Sequence, residues 1–142
     1  VLMLFGGGLS LSIILTQSGA SKALVDSVQF LLVGQHYFLI GLLVAAFIIF
    51  LTEFTSNTAS AALMVPIFIS VAENIGMNPL GLSLIIGLGA SCAFMLPVAT
   101  PPNAIAYGTG KVMQRDMIKA GFVLNILSII FISIMAYIFW FE

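Results

Sequence analysis

Two clusters of small polar residues hold the recognisable chemistry of this sequence. The first is Thr52-Glu53-Phe54-Thr55-Ser56-Asn57-Thr58, and the second is Pro97-Val98-Ala99-Thr100-Pro101-Pro102-Asn103. Hydroxyls and amides of this kind can coordinate a hard cation or donate to an anion while staying neutral. Neither cluster contains His, Cys, Lys or Arg. A nucleophile–base pair or a metal-ligand cluster is therefore lacking, and the sequence does not read as an enzyme.

The residues around the clusters decide what they can do. Hydrophobic residues make up 61% of the chain and charged residues only 6%, against about 25% charged in a soluble domain. Lipid must be the solvent, so the expected class is an all-α membrane protein. A net charge of −1 gives no reason to expect nucleic acid as a partner, and a single cysteine, Cys92, allows no disulfide framework. The chain opens inside an apolar run, with no charged leader or cleavage site ahead of it. That start suggests a piece of a longer chain without a signal peptide.

A helical span needs about 20 apolar residues. Tyr37–Leu51 and Ala59–Ala72 are both shorter, and the first cluster joins them. They are expected to form a re-entrant hairpin over 35–76, with its polar tip buried in protein or lining water. Leu80–Leu96 and Ala104–Gly110 flank the second cluster. Three prolines within 97–102 cannot sit in one continuous helix, so 80–110 is expected to be one transmembrane helix broken inside the bilayer. The stretch 117–141 reads as a plain last span. Residues 1–34, with the Gly6-Gly7-Gly8 interruption and the mixed stretch Gln17–Gln29, read as scaffold-side helices. Lys111, Arg115 and Lys119 mark the loop 111–119 as cytoplasmic. The C-terminus then lies outside, and the hairpin opens outward.

Each break joins a helix C-terminus, whose free carbonyls favour a cation, to a helix N-terminus, whose free amides favour an anion. At the first break the carbonyl end falls near Thr52–Thr55 and the amide end just after Ser56-Asn57-Thr58. At the second, the carbonyls fall around Val98–Ala99, and Thr100 then Pro101 reads as an N-cap with proline at the first helical position. Either cluster alone is equally well explained by close helix packing or a kink. Two together, each beside a stretch too short to span, point to a cation site beside a carboxylate, as at the midplane of secondary transporters.

The run Thr52–Ala59 with its Ser56-Asn57-Thr58 centre, followed by Leu96–Ala104, closely resembles the divalent anion:sodium symporter family over essentially the whole chain. That family carries a Ser-Asn-Thr motif at the tip of each of two re-entrant hairpins, and the present motif resembles the second. The resemblance implies sodium-coupled symport of a small di- or tricarboxylate by a homodimer with an elevator motion, set in the bacterial inner membrane. It implies substrate contacts from Ser56, Asn57, Thr58, Thr100 and Pro101. It implies sodium (Na+) ligands from Thr52, Thr55, Asn57 and Ala99, with Thr55 and Ala99 using backbone carbonyls. The first inverted repeat, with its own motif and first sodium site, is not in this sequence, and half a site is not expected to transport alone. Rival readings are a proton-coupled carrier, a carrier of sulfate or another anion, and a structural membrane segment without transport.

Other polar residues read as structural. Glu53 is expected to accept hydrogen bonds from the hairpin tip, His36 and Glu73 to be solvated at the outer arm ends, and Asn125 to bond a neighbouring helix. Gly81, Gly87, Gly89, Ala90 and Ser91 suggest a close-packing face.

Overall fold

Sixteen residues without a charge or a proline, Tyr37–Thr52, form helix α1. The computed structural model describes residues 36–141 and, ahead of them, Gly6, Ser10, Ile13, Ile14, Gln17, Ser18, Gly19 and Ala23. The expected scaffold-side helices over 1–34 otherwise lie outside the described residues. Among the described residues every regular element is an α-helix. After α1 come α2 (Asn57–Asn74), α3 (Pro79–Gly89), α4 (Pro101–Gly108) and α5 (Gln114–Phe139).

Local chemistry sets most helix starts. Ser56 caps α2, its Oγ accepting from Ala59 N at 3.4 Å. Asn78 caps α3 by accepting from Leu80 N at 3.0 Å, with Pro79 at the first position. Thr100 caps α4 by accepting from Asn103 N at 3.4 Å, again followed by proline. These caps satisfy amides that the first helical turn leaves free.

The lengths differ from expectation in two places. Helix α2 runs 18 residues, continuing through Pro66, although its first turns carry Asn57, Thr58 and Ser60. Only α5, with 26 residues, is long and apolar enough among the described helices to cross a membrane. The larger difference is α3, which ends at Gly89 rather than Leu96. Beyond it the amides of Phe94, Met95 and Leu96 bond the Glu53 carboxylate, so they are not available to the carbonyls four residues back. Val98 and Ala99 therefore belong to a turn leading into α4, not to a helix C-terminus.

The core is a layer of α1, α3 and α5, with α2 on the α3 side. Helix α1 buries two adjacent stripes, Ile40, Val44, Ile48 and Thr52 beside Gly41, Ala45 and Ile49. Helix α5 buries one, through Met117, Gly121, Asn125, Ile129, Ile132, Ser133 and Ala136. Its remaining surface exposes residues such as Phe122, Leu127 and Phe131, as a lipid-facing helix does.

Small residues set the approach distances. A Cβ on Gly89 would stand 2.5 Å from Ile48 Cγ2, and one on Gly121 would run into the backbone of Phe94 and Met95. Gly81 faces the Phe141 ring at 2.7 Å from the same hypothetical atom. The expected packing face is thus real at Gly81, Gly89 and the buried Ala90. Gly87 instead faces open space, and Ser91 is exposed.

Candidate functional site

The end of α1 and the start of α2 are separated by four residues, Glu53–Ser56, and the polar groups there fold back on one another. Thr52 is fully buried. Its hydroxyl lies 2.5 Å from Asn57 Oδ1 and 3.0 Å from Ala90 O, and its one proton serves one acceptor at a time. Thr55 turns back to the helix end, its Oγ1 donating to Leu51 O at 2.9 Å and lying 2.6 Å from Ser60 Oγ. Leu51 O, which also accepts from the Phe54 amide at 3.2 Å, is thus shared between a backbone and a side-chain donor at the helix C-terminus.

The second break lies against the first. Glu53, 1% exposed, accepts at Oε1 from Phe94 N (2.8 Å) and Met95 N (2.9 Å), and at Oε2 from Met95 N (3.2 Å) and Leu96 N (3.1 Å). Asn125 Nδ2 adds a fifth contact to Oε1 at 2.8 Å. Asn103 folds under the same turn and donates from Nδ2 to Ala93 O and Leu96 O, both at 3.0 Å.

Between the breaks is a cleft of about 530 Å³. Phe54, Thr55, Ser56, Asn57 and Thr58 line it from one side, and Val98, Ala99 and Pro101 from the other. Its floor presents hydroxyls and an amide at the N-terminus of α2, where helical amides and the dipole favour negative charge. Neither break contains Lys or Arg.

Residues 1–142 match the family model described as the sodium:sulfate symporter transmembrane region. The chain belongs to this family. It is 69% identical over 140 residues to an uncharacterised transporter of Haemophilus influenzae, covering 99% of this chain and 30% of that protein. It is 42% identical over 137 residues to the sodium-dependent dicarboxylate transporter SdcS of Staphylococcus saprophyticus, covering 96% of this chain and 26% of the relative. The Staphylococcus aureus SdcS proteins match at the same identity and coverage. The chain thus spans about a quarter to a third of the length of these relatives. Membership makes it an integral membrane segment of a transporter family rather than part of an enzyme.

Within this family member, six of the eight residues singled out for substrate or sodium share the cleft: Thr55, Ser56, Asn57, Thr58, Ala99 and Pro101. Thr52 is buried against Asn57 without lining it, and Thr100 is spent on capping α4. Glu53 takes its hydrogen bonds from the second break and α5, not from the hairpin tip, which corrects the expectation. Asn125, expected to bond a neighbouring helix, instead donates from Nδ2 to that carboxylate, on the residue just after α1 ends. Sequence reasoning missed Asn103, although its place three residues after the Thr100 cap was a usable sign. It also missed Phe54 and Val98, apolar residues 78% and 84% exposed on the cleft walls.

Proposed function

We propose that this chain supplies one binding half of a sodium-coupled symporter for small di- or tricarboxylates such as succinate. One observation carries the reading: both polar breaks line one cleft that has anion-binding amides and neutral oxygens but no basic side chain. Ser56, Asn57 and Thr58 donate to a substrate carboxylate, with Pro101 on the opposite wall and Thr100 beside it, capping α4. Thr52 and Asn57 offer side-chain oxygens to sodium, and Thr55 and Ala99 offer backbone carbonyls. The relative named a sodium-dependent dicarboxylate transporter supports both the ion and the substrate class.

The family description also names sulfate, which keeps a tetrahedral dianion as the second reading. Uptake by the full-length protein in proteoliposomes separates them. Succinate should accumulate under an inward sodium gradient and not under a proton gradient alone. Sulfate uptake without succinate uptake would reverse the order of the two readings.

On this proposal the full-length protein is a homodimer in a bacterial inner membrane and carries its site by an elevator motion. Helices α1 and α2 are the arms of an outward-opening re-entrant hairpin, and loop 111–119 is cytoplasmic. The short α1, roughly 24 Å at 1.5 Å per residue against a hydrocarbon core near 30 Å, supports the hairpin. Cysteines placed at His36 and Asn74 should label from the same, outer side of the membrane. Labelling from opposite sides would make α1 and α2 two separate crossings.

A further inference from the structure

We infer that Glu53 is a positioning residue for the cation half-site: its carboxylate, steadied by Asn125, sets where the second break lies against the first. The inference rests on the sodium-coupled reading above. Glu53 lines no part of the cleft, and nothing proposed for substrate or sodium uses it. Yet it is nearly fully buried and takes more hydrogen bonds than any other described side chain.

The donors explain what it does. Phe94, Met95 and Leu96 present three successive amides in a segment without helix or strand, so no ladder holds that segment in place. Two carboxylate oxygens accept from all three amides at once, which an amide side chain cannot do. Leu96 passes the position on. Its carbonyl accepts from Ala99 N at 3.2 Å and from Asn103 Nδ2 at 3.0 Å. Ala99, a wall of the cleft and an offered carbonyl ligand, is therefore one hydrogen-bonded turn from an amide that Glu53 holds. Thr52, the preceding residue, reaches Ala90 O at the other end of the segment. Two consecutive residues where α1 ends thus hold both ends of the segment 90–96 that leads from α3 into the second cluster.

Asn125 completes the arrangement from α5. Its side chain is fully buried, Nδ2 donates to Glu53, and Oδ1 has no partner among the described residues. A buried acceptor left unpaired is costly. The amide is therefore held in an apolar helix for its donor side, which prevents the carboxylate from swinging away from the amides.

The test is sodium-dependent succinate uptake by the full-length protein in proteoliposomes. Glu53→Gln sets an NH2 group against the Met95 and Leu96 amides, donor against donor. The sodium concentration for half-maximal uptake should rise at least about tenfold, the loss of one hydrogen bond to a charged group, with the maximal rate largely kept. Glu53→Asp, which retains both acceptor oxygens, should recover part of the loss. A role in folding alone would reduce the amount of protein or the maximal rate and leave sodium half-saturation in place, and that result overturns the inference. Should Glu53→Gln fail to accumulate in the membrane, Asn125→Ala decides. It removes one donor and keeps the carboxylate, and a rise of roughly threefold is expected, whereas none at all overturns the inference. Sodium-independent uptake by the unaltered protein would instead remove the symport reading, and this inference with it. Sodium-dependent uptake with unmoved variants removes only the role of Glu53.

Discussion

Replacing Asn57 by Ala should raise the sodium concentration for half-maximal uptake by roughly ten- to a hundredfold, with the protein still folded. The size follows from the ligand lost: an interaction with a charged group contributes about 1.5–3 kcal/mol, and about 1.4 kcal/mol is a factor of ten. Folding is spared because Thr52, the buried hydroxyl that meets Asn57 Oδ1 at 2.5 Å, has a second acceptor in Ala90 O at 3.0 Å. No buried donor is left stranded. Asn57 also stands in the substrate cleft, so succinate affinity should fall in the same variant. Thr52→Ala separates the two effects. Thr52 does not line the cleft, so its loss should shift sodium half-saturation while the substrate's own contacts remain. Uptake measured against sodium at saturating succinate is the check. An unmoved sodium curve in well-inserted Asn57→Ala protein would contradict the assignment.

What could be read in the sequence divides by range. Caps are local: Thr100 followed by Pro101 is legible as the cap of α4, and the structure shows Ser56 and Asn78 capping α2 and α3 in the same way. The apolar stretches α1 and α5 were equally plain, because composition alone sets a membrane helix. The end of α3 was not legible. Nothing between Gly89 and Leu96 forbids a helix by propensity except Gly89 itself, and the amides of Phe94, Met95 and Leu96 are drawn away by a carboxylate 41 to 43 residues earlier. A pairing at that distance leaves no periodicity to detect. The same holds for Asn125, 72 residues from its partner. An asparagine in an apolar helix signals that a partner exists without saying which. The site was legible as residue types in two clusters, because its chemistry is carried by neutral oxygens at helix ends. That the clusters share one cleft was not legible: Glu53, read as serving its own hairpin tip, instead bonds the segment that leads into the second cluster.

Sodium should strengthen succinate binding by two to three orders of magnitude. Neither break offers Lys or Arg, and Lys111, Arg115 and Lys119 are exposed in and around the α4–α5 connection. The anion's charge is left to helix N-termini, each equivalent to about half a unit charge, and to bound cations. A full cation at about 4 Å contributes on the order of 4 kcal/mol at an effective dielectric of 20, which is roughly a thousandfold in affinity. Solvent in the cleft will take some of that. Ser56→Ala and Thr58→Ala should each cost a further roughly tenfold in sodium by removing one donor to the carboxylate. The direct test is equilibrium binding of succinate to the purified full-length protein, in sodium and with choline in its place. The account predicts tight binding in sodium, little in choline, and weakened binding in the two variants. Equal affinity in both salts would contradict it.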